Sequence, residues 1–181
     1  MKKLVSAILM CVAAMSANAQ VLTSETVNNA YELVSNQADC DFAYNAEWSD
    51  KDITTMYVYQ KAKTKKGEVT LKPHLKYAYT YAADGTLISR VAYRWNSCLH
   101  EWTLTARRDY TLANGRYIAD YSRYNHKAEC FDQPTDRMVY TMELNDSINY
   151  VSCYHREHPR AHFELISETA VTGIPLLFAG K

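Results

Sequence analysis

The chain of 181 residues carries only five glycines, and none of them forms a loop able to cradle phosphates. That removes the familiar nucleotide-binding motifs. Its cysteines include no Cys-x-x-Cys pair, so the common zinc and dithiol redox motifs are absent. No Gly-x-Ser-x-Gly turn marks a nucleophilic serine. Twenty basic residues balance 20 acidic ones, leaving no field to steer nucleic acid or anionic lipid. The most apolar stretch, Leu4 to Met15, falls short of the roughly 20 residues needed to cross a bilayer.

That stretch reads instead as the core of a secretory signal. Met1-Lys2-Lys3 supplies the basic start, and Ser16-Ala17-Asn18-Ala19-Gln20 the small residues, so cleavage is expected after Ala19. Cys11 lies inside the apolar region behind Met10, which argues against a lipid-modified cysteine. The expectation is an exported protein, periplasmic or extracellular, with no membrane span. Residues 20–181 would form a single domain of 181 − 19 = 162 residues, enough to bury about 70% of its unfolded surface. Removing Lys2 and Lys3 leaves 18 basic against 20 acidic residues, a net charge of −2. The basic run Lys61 to Lys66 reads as a solvated hairpin tip. Cys40, Cys98, Cys130 and Cys153 would meet an oxidising compartment, where three pairings are open to them.

What the sequence has in excess is tyrosine, 15 residues, alternating with polar positions between turn signals. Asp84-Gly85, Asn114-Gly115 and Asn145-Asp146 stand 30 and 31 residues apart, the period of a repeated supersecondary unit. One helix is expected over Ser24 to Ala38, where Val27, Tyr31, Val34 and Ala38 keep helical spacing behind Thr23 or Ser24 as N-cap. From Ile53 the period becomes two, in Tyr, Val, Thr, Ile and Trp, and the remainder is strand and turn. The fold class is therefore mainly β, an antiparallel meander of seven to eight strands with one short N-terminal helix. Because one helix cannot cover such a sheet, strong curvature or a barrel-like closure is expected, and Ile174-Pro175-Leu176-Leu177-Phe178 is a further candidate cover.

Parity fixes the expected hairpins, since a slip of one residue moves every side chain to the other face. A three-residue loop Ala83-Asp84-Gly85, with glycine left-handed, unites Val69, Leu71, Pro73, Leu75, Tyr77, Tyr79 and Tyr81 with Leu87, Val91, Tyr93 and Trp95. A two-residue turn at Asn114-Gly115 pairs Leu112 with Tyr117 and groups Trp102, Leu104, Tyr110, Leu112, Tyr117 and Tyr121. At the third signal, a loop Asn145-Asp146-Ser147 brings Tyr140, Met142 and Leu144 beside Ile148, Tyr150 and Tyr154. The connection Asn96 to Glu101 lets Trp95 and Trp102 face each other. Lys76, Thr80, Arg90, Arg94, Thr103, Thr105, Arg107, Asp109, Thr111, Asp120 and Ser122 are expected on a solvated opposite face. Asn125 to Thr135 reads as the longest irregular stretch.

The segment Tyr79-Thr80-Tyr81-Ala82-Ala83-Asp84-Gly85-Thr86-Leu87 resembles the core of the tyrosine-aspartate repeats of large exported bacterial proteins, with Ala82 where that repeat has Asp. A longer stretch, Tyr77 through Trp102 centred on Ser89-Arg90-Val91-Ala92-Tyr93-Arg94-Trp95-Asn96, resembles the small exported Bacteroidetes proteins of domain-of-unknown-function family 3836. The resemblance implies an exported β domain and assigns no catalytic or binding residue.

His155, His158 and His162 would share one face of a helix and offer zinc ligands. Pro159 interrupts any helix there, and positions 155 and 158 of a strand face opposite ways, so no metal or other cofactor is expected. Asp109 and Asp120 approach across the Asn114-Gly115 hairpin, but Arg107 beside them suits ion pairing. Tyrosine and tryptophan rows serve either a core margin or a ligand platform, because each ring is apolar with one polar atom. Tyr77, Tyr79, Tyr81, Tyr93, Trp95 and Trp102 are the candidate binding residues, for a glycan or a protein ligand. The expected function is a non-enzymatic binding or interaction module. The alternatives are a small extracytoplasmic hydrolase, or an assembly module forming oligomers through edge strands such as the one near Phe163 to Ile166. At the first edge, Lys63, Lys65, Lys66 and Pro73 are expected to block such pairing.

Overall fold

The computed structural model describes residues 22–37, 41–64, 67–142 and 148–170, without the side chains of Met142, Ile148 and Asn149. The signal region, Cys40, the Asn145-Asp146-Ser147 loop and Ile174 to Phe178 lie outside the described residues.

Thr23 opens the only described helix, α1 (Ser24–Ser35), with a capping box. The Thr26 amide donates to Thr23 Oγ1 at 3.4 Å, and the Thr23 amide donates to Thr26 Oγ1 at 3.2 Å, satisfying two otherwise unpaired donors. Val27, Ala30 and Val34 make its buried stripe, while Tyr31 sits half-buried with its ring edge-on to Trp48 at 6.1 Å. The helix stops at Ser35, short of the expected Ala38.

Ten strands follow among the described residues: β1 (Phe42–Ser49), β2 (Asp52–Lys63), β3 (Val69–Tyr81), β4 (Leu87–Asn96), β5 (Glu101–Ala113), β6 (Arg116–Asn125), β7 (Cys130–Phe131), β8 (Asp136–Met142), β9 (Ile148–His155) and β10 (Glu164–Ala170). All pair antiparallel in the order β1-β2-β3-β4-β5-β6-β8-β9-β10, with β7 on β6 beyond the start of β8. The count exceeds the seven to eight expected. Part of the reason is that β7 breaks up Asn125 to Thr135, which is therefore not one irregular loop. The sheet is not closed into a barrel: β1 and β10 remain at opposite ends. The open sheet still makes a core, because Leu22, Val27 and Ala30 pack with buried tyrosines, some of which bury a ring and also satisfy a hydroxyl. Tyr117 is 1% exposed, yet its hydroxyl donates to the Leu87 carbonyl at 2.6 Å. Tyr81 likewise donates to the Ile53 carbonyl at 2.8 Å.

The core lies between α1 with its leading Leu22 and one face of the sheet, where Ile53, Met56, Tyr79, Leu87, Tyr110, Tyr117, Tyr140 and Val151 gather. The N-terminal segment is sewn to the β3–β4 turn, Leu87 N donating to Leu22 O and Ser24 N to Gly85 O. That turn is the expected three-residue loop: Ala82 and Thr86 close it, and Gly85 has φ 84°. The Thr86 amide also donates to the Asp84 carboxylate, which holds that carboxyl below its ordinary range. Asn114 and Gly115 both take positive φ, 52° and 68°, and Leu112 pairs with Tyr117 as expected of a two-residue turn.

The strands between the turns depart from strict alternation. Between the pairs Thr80–Ser89 and Tyr81–Leu87, β4 carries an extra residue, Ile88. Between Ala92–Ala106 and Tyr93–Leu104, β5 carries an extra residue, Thr105. Each bulge shifts parity by one. Leu87 therefore joins Tyr77, Tyr79 and Tyr81 on the helix side, but Val91, Tyr93 and Trp95 turn to the opposite side. Trp102 and Leu104 are likewise divided from Tyr110 and Tyr117. Arg90, expected in solvent, is instead 7% exposed on the helix side and directly opposite Arg108, which is 6% exposed. Ser122 is buried as well. Pro73, expected at the sheet's first edge, sits inside it at another bulge, opposite Tyr59, and the true first edge is β1.

Candidate functional site

The six candidate binding residues separate into two groups. Tyr77, Tyr79 and Tyr81 belong to the helix side. Tyr79 is buried, its ring stacks on Tyr81 at 6.4 Å, and Tyr77 lies under the Arg90 guanidinium at 4.9 Å. Burial pushes the Tyr79 and Tyr81 hydroxyls well above their ordinary pKa. These rings are core and core margin.

Tyr93, Trp95 and Trp102 come together on the opposite face. Trp95 and Trp102 are cross-strand partners, their rings edge-on at 5.1 Å. The pair faces outward because the Ile88 and Thr105 bulges carry both strands through the same change of side. Residues outside the expected set complete the cluster. Tyr57 on β2 approaches Trp102 at 6.0 Å and Tyr59 at 6.4 Å. Lys76 on β3 holds its ammonium 4.1 Å above the Tyr93 ring and 5.7 Å from Trp102. All six of these side chains are half-buried, so the cluster forms a shallow surface with rings and one cation reaching solvent. The Tyr57 hydroxyl donates to Glu47 at 2.9 Å, and burial together with that carboxylate raises its pKa.

Lys76 belonged to the expected solvated face, and it does lie there; what sequence reasoning missed is that the rings would join it. A usable signal was present. Arg94-Trp95-Asn96 and Trp102 recur as Arg123-Tyr124-Asn125 and Phe131, every match 29 positions apart (124 − 95, 125 − 96, 131 − 102). The structure repeats accordingly. Asn96 Oδ1 accepts from the Cys98 and Leu99 amides, and Asn125 Oδ1 accepts from the Lys127 and Ala128 amides. His100 and Glu129 close the two loops with φ 54° and 52°. Tyr124 and Phe131 meet edge-on at 5.2 Å, just as Trp95 and Trp102 do.

The carboxylates of the same face are engaged. Asp109 and Asp120 are cross-strand neighbours, but Arg107 Nε donates to Asp109 at 2.8 Å and Arg137 grips Asp120 through two bonds at 2.7 and 2.9 Å. Of the three histidines, His155 pairs with Asp136 at 3.0 Å. Among the described residues no group of three or more His, Cys, Asp or Glu is arranged to hold a metal ion. Among the described residues Cys98, Cys130 and Cys153 form no disulfide, and no helix is long and apolar enough to cross a membrane.

An open antiparallel meander, carrying a helix on one face and an aromatic, cation-decorated patch on the other, defines the class of this protein. The chain belongs to the family of unknown function DUF3836, whose pattern matches residues 1–142. No curated protein matches it. It is similar to a crystal structure of a protein of unknown function from Bacteroides fragilis, with 18% identity and a TM-score of 0.61, over 72% of this chain and 91% of that one. DUF3836 family proteins from Bacteroides vulgatus (22% identity, TM-score 0.47, 52% of this chain and 91% of that one) and Parabacteroides distasonis (18%, 0.48, 56% and 90%) are also similar. The first of these likenesses supports the fold and leaves activity open.

Proposed function

We propose that the protein is an exported, non-enzymatic binding module, and that it takes a glycan on the patch of Tyr57, Tyr59, Lys76, Tyr93, Trp95 and Trp102. Export rests on the signal-like residues 1–19. Binding rests on one observation: a cation and an edge-on tryptophan pair stand half-exposed on the sheet face away from the helix. A sugar ring offers an apolar C–H face to aromatic rings and hydroxyls to the polar groups beside them, which suits a shallow surface of this kind. Trp102→Ala and Trp95→Ala are expected to leave the thermal midpoint of the mature protein within a few degrees while abolishing signals on a glycan array. An array with no binding to the wild-type protein overturns the reading.

A second reading, assembly through the last edge, is favoured by β10, whose every residue is exposed, with Leu165 at 56% and Ile166 at 57%. An elution volume that moves with protein concentration, and stops moving in Ile166→Lys, would support it.

A further inference from the structure

The ring-and-cation arrangement around Lys76 continues across the same face. Lys76 stands on β3 above Tyr93. Arg107, on β5, places its guanidinium 4.6 Å from the Phe131 ring. Arg137, on β8, lies 4.4 Å from the Phe163 ring, to which Arg156 adds a second guanidinium at 4.6 Å. In the order of the sheet, β3, β5 and β8 are alternate strands. Strands lie about 4.8 Å apart and rise about 3.4 Å per residue, so neighbouring rungs, two strands and two residues apart, are separated by about 12 Å, comparable to a disaccharide in an extended chain. The pairing register also displaces each rung along the strands, Lys76 opposite Tyr93, Arg107 opposite Val91 and Arg137 opposite Asp120, so the row climbs diagonally.

Charge along the row is unequal. Arg107 and Arg137 are matched by Asp109 and Asp120, and each such pair offers donors and acceptors together. Among the described residues no carboxylate pairs with Lys76 or Arg156, at the two ends of the row. The four cations face three carboxylates, Asp109, Asp120 and the Glu47 that accepts from Tyr57, an excess of 4 − 3 = +1 on a chain with no net charge. A carboxylate-bearing, hydroxyl-rich polymer with flat apolar ring faces complements this row, its carboxylates meeting Lys76 and Arg156 at the ends and its hydroxyls the arginine–aspartate pairs between them. A protein strand would seek the sheet's edge for main-chain bonds instead.

We infer that the three rungs are successive subsites for one chain of an acidic, uronic-acid polysaccharide lying diagonally across the face. The inference deepens the glycan reading above and depends on it. Separate rungs held by one ligand add through effective concentration, so affinity grows steeply with chain length.

Titration calorimetry of the mature protein with polygalacturonate, alginate and hyaluronate, each as dimers and octamers, tests the ladder. At least one octamer is expected to bind about tenfold or more tighter than its dimer. Phe131→Leu, which keeps apolar volume but removes the ring, is expected to erase most of that advantage, weakening octamer binding far more than dimer binding. Full methyl esterification of polygalacturonate, or of the binding uronate, is expected to weaken binding about tenfold, as is raising the salt. Equal affinity for octamer and dimer, indifference to Phe131→Leu, or indifference to esterification each overturns the ladder. Binding of neutral glycans through Trp102 alone overturns the ladder and leaves the glycan reading intact; binding of no glycan at all removes both.

Discussion

The two faces of the sheet use the same residue type to opposite ends. On the helix side, Tyr79, Tyr110, Tyr117 and Tyr140 are all less than a tenth exposed and packed ring to ring. On the other side, Tyr57, Tyr59 and Tyr93 are half-exposed and share their surroundings with Lys76 and two tryptophans. Tyrosine is therefore no marker of either core or surface in this chain. What separates the roles is burial in the core cluster that Leu22, Val27 and Ala30 complete, where main-chain carbonyls such as those of Leu22 and Leu87 serve as hydroxyl partners.

The comparison breaks first under ring removal. Tyr117→Ala should cost about 3–5 kcal/mol, as for other buried aromatics, whereas Trp102→Ala, half-exposed, should cost no more than about 2 kcal/mol by loss of partial burial. Urea midpoints of the two variants compare them directly, and equal losses would mean that the outer rings are also core. Within the helix side, Tyr117→Phe should cost about 1–2 kcal/mol by orphaning the Leu87 carbonyl. Tyr79→Phe should be neutral or stabilising, because among the described residues its buried hydroxyl has no partner. Losing the Thr23 cap in Thr23→Ala should cost about 1 kcal/mol and loosen the cover without touching the outer face.

Two pH effects are smaller and opposite in sign. Burial, and then the charge of Arg94, hold His74 below its ordinary pKa. The stability tied to its neutral form is complete above about pH 6.5, the unfolded value, and is lost as the pH falls from there through the folded value. His74→Phe should flatten that acid limb of the thermal midpoint. At the alkaline end, burial raises Tyr79, Tyr81, Tyr117 and Tyr140. Their contribution is complete below about pH 10 and disappears as the pH rises through the folded values, so phenolate absorbance from these rings should appear only together with unfolding. Their titration in an intact fold would show that the helix-side rings are not sealed.

Local chemistry was legible in the sequence, and non-local geometry was not. The Ala83-Asp84-Gly85 loop, the Asn114-Gly115 turn and the facing of Trp95 and Trp102 follow from residues within one hairpin, where glycine or asparagine must adopt positive φ. The helix start was legible for the same reason, its cap lying three residues from its partner. The bulges were not, because neither Ile88 nor Thr105 differs in type from its neighbours and the extra residue is defined only against the opposite strand. That single omission accounts for placing Tyr93 and Trp95 with Tyr77, and for expecting Arg90 in water. The edge strand β1 was hidden as well, since Phe42 to Ser49 mixes half-buried and exposed positions without a clean period.

The bulges at Ile88 and Thr105 also bear on how such a surface changes over time. Because each acts as a frame shift in three dimensions, one inserted or deleted codon in β4 or β5 would exchange which side chains meet the outside, with every flanking residue retained. A lineage of these proteins can therefore acquire a new outward face in one mutational event, drawing it from residues already tolerated in the interior.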